Sequence, residues 1–133
     1  MDVPPEIGFD RQFGTLINGV HTEFVFHRFA GQWLLLVTQL GKIGVIYDVS
    51  FDVKLDARKL PVNLKEYHTP VVLSTKCCLG NDTSETVSAI QFLANNTMLN
   101  RCPKNLIIGL GLKNIETKVL HEIAEVLEQM VFK

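Results

Sequence analysis

Trp33-Leu34-Leu35-Leu36-Val37-Thr38-Gln39-Leu40, closed by Gly41-Lys42-Ile43-Gly44, decides the architecture of this chain. A strand sends alternate side chains to opposite sides of its sheet, so five consecutive apolar residues, Trp33 to Val37, oil both sides and require cover on both. The run is far short of the roughly 20 apolar residues that a membrane span needs. It reads as a strand of a sheet in which one face packs on helices and the other must be covered by something else.

Upstream, Phe13 to Ile17 and His21 to Phe29 flank Asn18-Gly19, a pair that tolerates the positive backbone angles of a type I′ turn, so the two segments predict a tight hairpin. Ala30-Gly31-Gln32 turns into the apolar strand, and Gly41 to Gly44 turns again into Val45 to Phe51. There Val45, Tyr47, Val49 and Phe51 share one side while Asp48, Ser50 and Asp52 share the other, the pattern of a strand wet on one side. These four strands are predicted to run as a meander. Val71 to Cys78 reads as a fifth strand and Leu106 to Leu112 as a sixth.

Helical periodicity appears only late in the chain. Asp82 with Glu85 resembles a capping pair at the start of a helix reaching Asn96, with Val87, Ala89, Ile90, Leu93 and Ala94 on its apolar stripe. From Glu116 to Phe132 a second helix turns Leu120, Ile123, Leu127, Met130 and Val131 inward and Glu122, Glu125, Glu128 and Gln129 outward. The order predicts an α+β domain, β-β-β-β-β-α-β-α, with a six-stranded, mostly antiparallel sheet and both helices on one face. It is expected to form one domain over residues 1–133, with residues 1–10 flexible and residues 53–69 a long loop. The face away from the helices would leave the apolar strand bare, and monomers avoid such patches, so a second copy or a related chain is expected to cover it.

The whole sequence has 133 residues, 47% of them hydrophobic and 20% charged, the range of ordinary globular domains. Thirteen basic and 14 acidic residues give a formal charge of -1, so no broad field gathers nucleic acid or anionic lipid, and neither is expected as a partner. Met1-Asp2-Val3-Pro4-Pro5 lacks the basic-then-apolar order of a secretory signal, which predicts a soluble, intracellular chain; the cytoplasm, with the nucleus as a further compartment, is its expected location. On that expectation the glycosylation patterns Asn81-Asp82-Thr83 and Asn95-Asn96-Thr97 carry no meaning. Three cysteines, two of them adjacent at Cys77 and Cys78, do not make a disulfide framework.

Chemistry-bearing patterns are sparse. Gly109-Leu110-Gly111-Leu112-Lys113-Asn114 follows a strand like a dinucleotide fingerprint, but Asn114 stands at the third glycine and no later strand brings a ribose-binding acid. Small residues where a helix packs closely explain it better. His21, Glu23 and His27 share a strand side, yet six residues of strand separate the histidines by about 20 Å, too far for one metal ion. Cys77 and Cys78 point to opposite sides, and with Cys102 they lack metal-binding spacing, so core packing is the better account of them. No nucleophile elbow, phosphate loop or zinc helix appears. Neither a cofactor nor catalysis is expected. Within the loop Val53 to Thr69, Lys54, Arg58, Lys59 and Lys65 exceed Asp56 and Glu66 by two positive charges; the loop reads either as a solvated connector or as a patch that steers an acidic partner surface.

Leu35-Leu36-Val37-Thr38-Gln39-Leu40-Gly41-Lys42-Ile43-Gly44 resembles the segment that marks the proteasome assembly chaperone 3 family. Asn18-Gly19-Val20-His21-Thr22 ahead of it, and Pro70 to Lys76 with Leu79-Gly80-Asn81-Asp82 behind it, fall in the matching order, so the likeness spans Gly19 to Asp82. The resemblance implies a non-catalytic chaperone with six strands and two helices. It also implies pairing with proteasome assembly chaperone 4, self-association, and capture of alpha-type subunits while the alpha ring of the core particle is built. The connection between the fourth and fifth strands is longer than in the family, and Met1 to Asp10 differs from it. Lys42, Lys54, Arg58, Lys59 and Lys65 are the residues expected to touch alpha subunits. Val131-Phe132-Lys133 approximates the hydrophobic-tyrosine-any tail that docks other proteasome partners, although Val131 is also required in the helix stripe. The rival expectation is a small α+β dimer that tethers signalling proteins.

Overall fold

The computed structural model describes residues 9–39, 41–51, 73–102 and 105–132. Six strands and two helices follow in the predicted order: β1 (Arg11–Ile17), β2 (Val20–Phe29), β3 (Gln32–Gln39), β4 (Val45–Phe51), β5 (Leu73–Leu79), α1 (Ser84–Asn95), β6 (Asn105–Gly111) and α2 (Thr117–Val126). A 3-10 turn, Met98–Arg101, precedes β6, and α2 widens into a π turn over Leu127–Val131. Asn18 at φ 50° and Gly19 at φ 77° turn β1 into β2, the two positive angles that their hairpin requires.

The strands lie in the order β1-β2-β3-β6-β4-β5, all neighbours antiparallel except β3 and β6. The meander expected of the first four strands is corrected here: β6 enters between β3 and β4. The inserted strand is apolar on both sides like β3, so the two central strands bury each other's flanks. Its fit depends on Gly111, because a Cβ there would collide with the backbone carbonyl of Lys42. Gly44 N–H donates to the Leu110 carbonyl at 2.9 Å, fastening the β3–β4 connection across the end of β6.

On the inner face, Phe24, Phe26, Leu35, Val37, Tyr47, Val49, Leu106 and Ile108 pack under Ala89, Ile90, Leu93, Ile123 and Leu127 of the helices. Each large side chain buried there contributes about 1.5–3 kcal/mol relative to exposure. Polar residues in this layer are satisfied. Gln39 Nε2 donates to Thr22 Oγ1 at 3.0 Å, and Gln39 Oε1 accepts from Lys113 N–H at 2.8 Å, tying β2 and β3 to the segment before α2.

Two local expectations need correction. The N-cap of α1 is Thr83, whose Oγ1 accepts from Thr86 N–H at 3.1 Å; Asp82 instead accepts from Tyr47 Oη at 2.8 Å. Met130 is exposed rather than inward, because the π turn inserts extra residues per turn and rotates it out of the stripe while Val131 stays buried. Of the segment expected to be flexible, Phe9 and Asp10 are described, and both contact His27.

Candidate partner-binding surface

Strand alternation that sends Phe24, Leu35 and Ile108 under the helices sends Val25, Leu34, Leu36, Ile46 and Ile107 to the opposite face. None of the described elements covers these five half-buried side chains. Leu34 lies beside Ile107, and Leu36 and Ile46 flank Gly109 from either side. A Cβ on Gly109 would stand 2.7 Å from Leu36 Cδ2 and 3.4 Å from Ile43 Cγ2, so both side chains lean over the glycine. The close neighbour of Gly109 is thus this cluster, and that of Gly111 is the Lys42 backbone; the expected helix against these glycines is not there. Leu16, Phe29 and Leu79, each half or more exposed, extend the apolar surface toward its margins.

Four polar or charged residues on this face fall in one row across the sheet. Register places His27 beside Leu34, Leu34 beside Ile107, Ile107 beside Asp48, and Asp48 beside Lys76. Asp10 closes the row beyond His27: its N–H donates to His27 Nδ1 at 3.2 Å, which keeps the ring proton on Nε2. The Asp10 carboxylate approaches the same nitrogen at 3.5 Å and accepts from Arg28 N–H at 2.9 Å. Asp48 Oδ1 accepts from Asn105 Nδ2 at 2.9 Å. Farther along β2, His21 Nε2 lies 3.5 Å from Glu23 Oε1.

Elsewhere the surface offers shallow clefts. One of about 280 Å³ is lined by Asp10, Arg11, Phe26, Arg28, Val131 and Phe132. The Arg28 guanidinium there stacks 5.2 Å from the Phe26 ring and 5.3 Å from Trp33. Another of about 250 Å³ runs between the helices beside Phe92 and His121, whose rings meet edge to face at 4.8 Å. Among the described residues no group of three or more His, Cys, Asp or Glu could hold a metal, and no helix is long and apolar enough to cross a membrane. Tyr47 carries the one resolved pKa displacement there, up to about 12, because burial and the Asp82 carboxylate both disfavour its phenolate. Cys102 is buried and Cys77 half-buried, whereas Cys78 is exposed, contrary to the core role expected of it.

Of the expected partner contacts, Lys42 is exposed on the connection that arches over β6. Lys54, Arg58, Lys59 and Lys65 lie outside the described residues, so the structure does not bring them together with Lys42. Phe132 packs edge to face on Phe26 at 5.2 Å and lies 6.2 Å from Trp33, so the residue in the tyrosine place of the docking-tail pattern is engaged within the fold. The cross-sheet row of Asp10, His27, Asp48 and Lys76 escaped sequence reasoning, since it exists only once β6 has joined the two halves of the sheet.

A family model described as proteasome assembly chaperone 3 matches residues 35–130. No curated protein matches the chain. Among solved structures, the fold is similar to a chain of a chaperone complex for yeast 20S proteasome assembly, with a TM-score of 0.54 and 15% identity over 86% of this chain and 90% of that one.

Proposed function

The chain belongs to the proteasome assembly chaperone 3 family, and we propose that it acts without catalysis, pairing through its open sheet face with a related small chaperone of the proteasome assembly chaperone 4 kind. The pair holds alpha-type subunits in one arrangement while the alpha ring of the core particle closes, in the cytoplasm and the nucleus, and is then displaced. The observation that carries this reading is the half-buried cluster of Leu34, Leu36, Ile46 and Ile107, which none of the described elements covers, on a sheet whose other face packs on helices. Monomers rarely leave a contiguous apolar surface open to water, which favours a partner as its cover. With one face committed to pairing, Lys42 and the basic loop residues Lys54, Arg58, Lys59 and Lys65 are left for the alpha subunits, whose capture their charge would steer.

A pull-down from cell extract with the tagged chain tests the proposal. Recovery of alpha-type subunits together with a second small chaperone is expected, and Leu36→Asp should lose the small chaperone. Recovery of kinase or membrane-scaffold components in their place would overturn it.

A further inference from the structure

The cleft of about 280 Å³ where β2 turns into β3 holds two guanidinium groups with different commitments. Arg11 is engaged: its Nε donates to the Met130 carbonyl at 3.2 Å and its Nη1 to the Asp10 carbonyl at 3.3 Å, so it satisfies a backbone acceptor in the turn that follows α2. Arg28 is held by stacking alone. Its guanidinium carbon stands 5.2 Å from the centre of the Phe26 ring and 5.3 Å from that of Trp33, its register partner on β3. Among the described residues no carboxylate pairs with it, and no acceptor takes its side-chain N–H groups. Asp10 shares the cleft, but its carboxylate accepts from the Arg28 backbone N–H at 2.9 Å and approaches His27 Nδ1 at 3.5 Å, leaving the guanidinium alone. Arg28 has the strand parity of Phe24 and Phe26, so the cleft lies on the helix-bearing side of the sheet and stays open when the opposite face is covered.

We infer that this cleft binds a single carboxylate, the side chain of an aspartate or glutamate on a bound protein, through the guanidinium of Arg28. A guanidinium stacked by its faces is left with its in-plane N–H donors, the fork that matches both oxygens of a carboxylate. Stacking has also removed much of the side-chain freedom that an arginine otherwise loses on pairing. The aromatic walls keep water from part of the pair, which strengthens it relative to an ion pair in open solvent. Charge balance selects the ligand. Arg11 and Arg28 against Asp10 leave a surplus of one positive charge in the lining, and the Met130 carbonyl adds the partial negative charge of a helix end. One carboxylate neutralises that surplus, whereas a phosphate group carrying about -1.5 to -2 overshoots it beside Asp10. Size points the same way, since small-molecule pockets hold roughly 300–1,000 Å³ and this shallower cleft suits one side chain.

The inference does not depend on the pairing surface, and its test uses the purified chain alone. Trp33 is the only tryptophan in the sequence, so its emission reports on the cleft. The chain is titrated in about 50 mM salt with acetyl-tetraglutamate amide, with the matching tetraglutamine peptide and with inorganic phosphate, by fluorescence and by calorimetry. The glutamate peptide should saturate with a dissociation constant near about 1 mM, the glutamine peptide should not bind up to about 10 mM, and phosphate should bind at least about threefold more weakly than the glutamate peptide. Calorimetry compares the variants, because a change at Arg28 alters the surroundings of Trp33 by itself. Arg28→Gln should weaken the peptide at least about tenfold, with the fold intact because Arg28 is exposed. Arg28→Lys, which keeps the charge and loses the fork, should weaken it at least about threefold. Arg101→Gln removes the same charge from an exposed position on another cleft and should change nothing. Equal losses in Arg28→Gln and Arg101→Gln would mean that the peptide follows net charge alone, and the site would fall. Tighter binding of phosphate would overturn the carboxylate, and a glutamate peptide that fails to saturate by about 10 mM, or binds Arg28→Gln unchanged, would overturn the whole inference.

Discussion

Tyr47 shows how much one side chain can join. It sits at the inner face of β4, wholly buried, and its hydroxyl donates to Asp82 just before the Thr83 cap, linking the sheet to the start of α1. A hydrogen bond to a carboxylate contributes about 1.5–3 kcal/mol, so Tyr47→Phe should destabilise the chain by that order at neutral pH in urea titrations. The folded pKa of about 12 exceeds the ordinary 10, so the unfolded chain releases this proton first. The stabilisation is therefore complete below pH 10 and is lost as pH rises from 10 through 12. The stability gap between the native chain and Tyr47→Phe should shrink over that interval, and a gap that stays constant would show the phenol is not held neutral by the fold. Sequence reasoning placed Tyr47 on the inner side correctly and assigned Asp82 to the helix cap. The spacing of Asp82, Thr83 and Glu85 allows either residue to cap, and only the arrival of Tyr47, 35 positions away, takes Asp82 out of that role.

At the scale of elements, the insertion of β6 depends on two glycines with different jobs. Alanine at Gly111 meets the backbone of Lys42, which cannot swing aside, so Gly111→Ala should cost more than about 3 kcal/mol or open the β3–β4 connection. Alanine at Gly109 meets Leu36 Cδ2, the end of a flexible side chain, and should cost about 1–2 kcal/mol. Thermal denaturation of the two variants checks the order; equal losses would mean that the carbonyl approach at Gly111 does not hold the strand in place. The two glycines were visible in the sequence, yet they were assigned to a helix contact. Periodicity identifies strands and their wet sides, and the Asn18-Gly19 hairpin follows from local backbone chemistry. Which strands become neighbours is decided by contacts far apart in the chain. The doubly apolar β3 carried a trace of the answer, since a strand needing cover on both faces belongs in the middle of a sheet with strands on both flanks. Met130 was misplaced for a related reason: the expected stripe assumed 3.6 residues per turn, and the π turn breaks that count where Phe132 folds back onto Phe26 and Trp33.

The whole molecule divides its two proposed tasks between different forces, and salt separates them. Pairing uses the apolar centre around Leu34, Leu36, Ile46 and Ile107, and contacts shielded from solvent are screened little by ions. Capture of alpha subunits is proposed to use Lys42 and the basic residues Lys54, Arg58, Lys59 and Lys65 on a chain whose net charge is only -1, so the electrostatic reach of such a contact is local and open to screening. Raising salt from about 50 to 500 mM cuts the Debye length from about 14 to 4 Å. Across that range the association rate with purified alpha subunits should fall at least about tenfold, whereas the dimer dissociation constant should change by less than about threefold. The fourfold charge reversal Lys54→Glu, Arg58→Glu, Lys59→Glu, Lys65→Glu should lower the rate at low salt and flatten its salt dependence, while leaving the dimer unchanged in sedimentation. If the dimer proves the salt-sensitive partner and capture does not, charge holds the sheets together and apolar contact holds the subunits, and the assignment of the two surfaces must be exchanged.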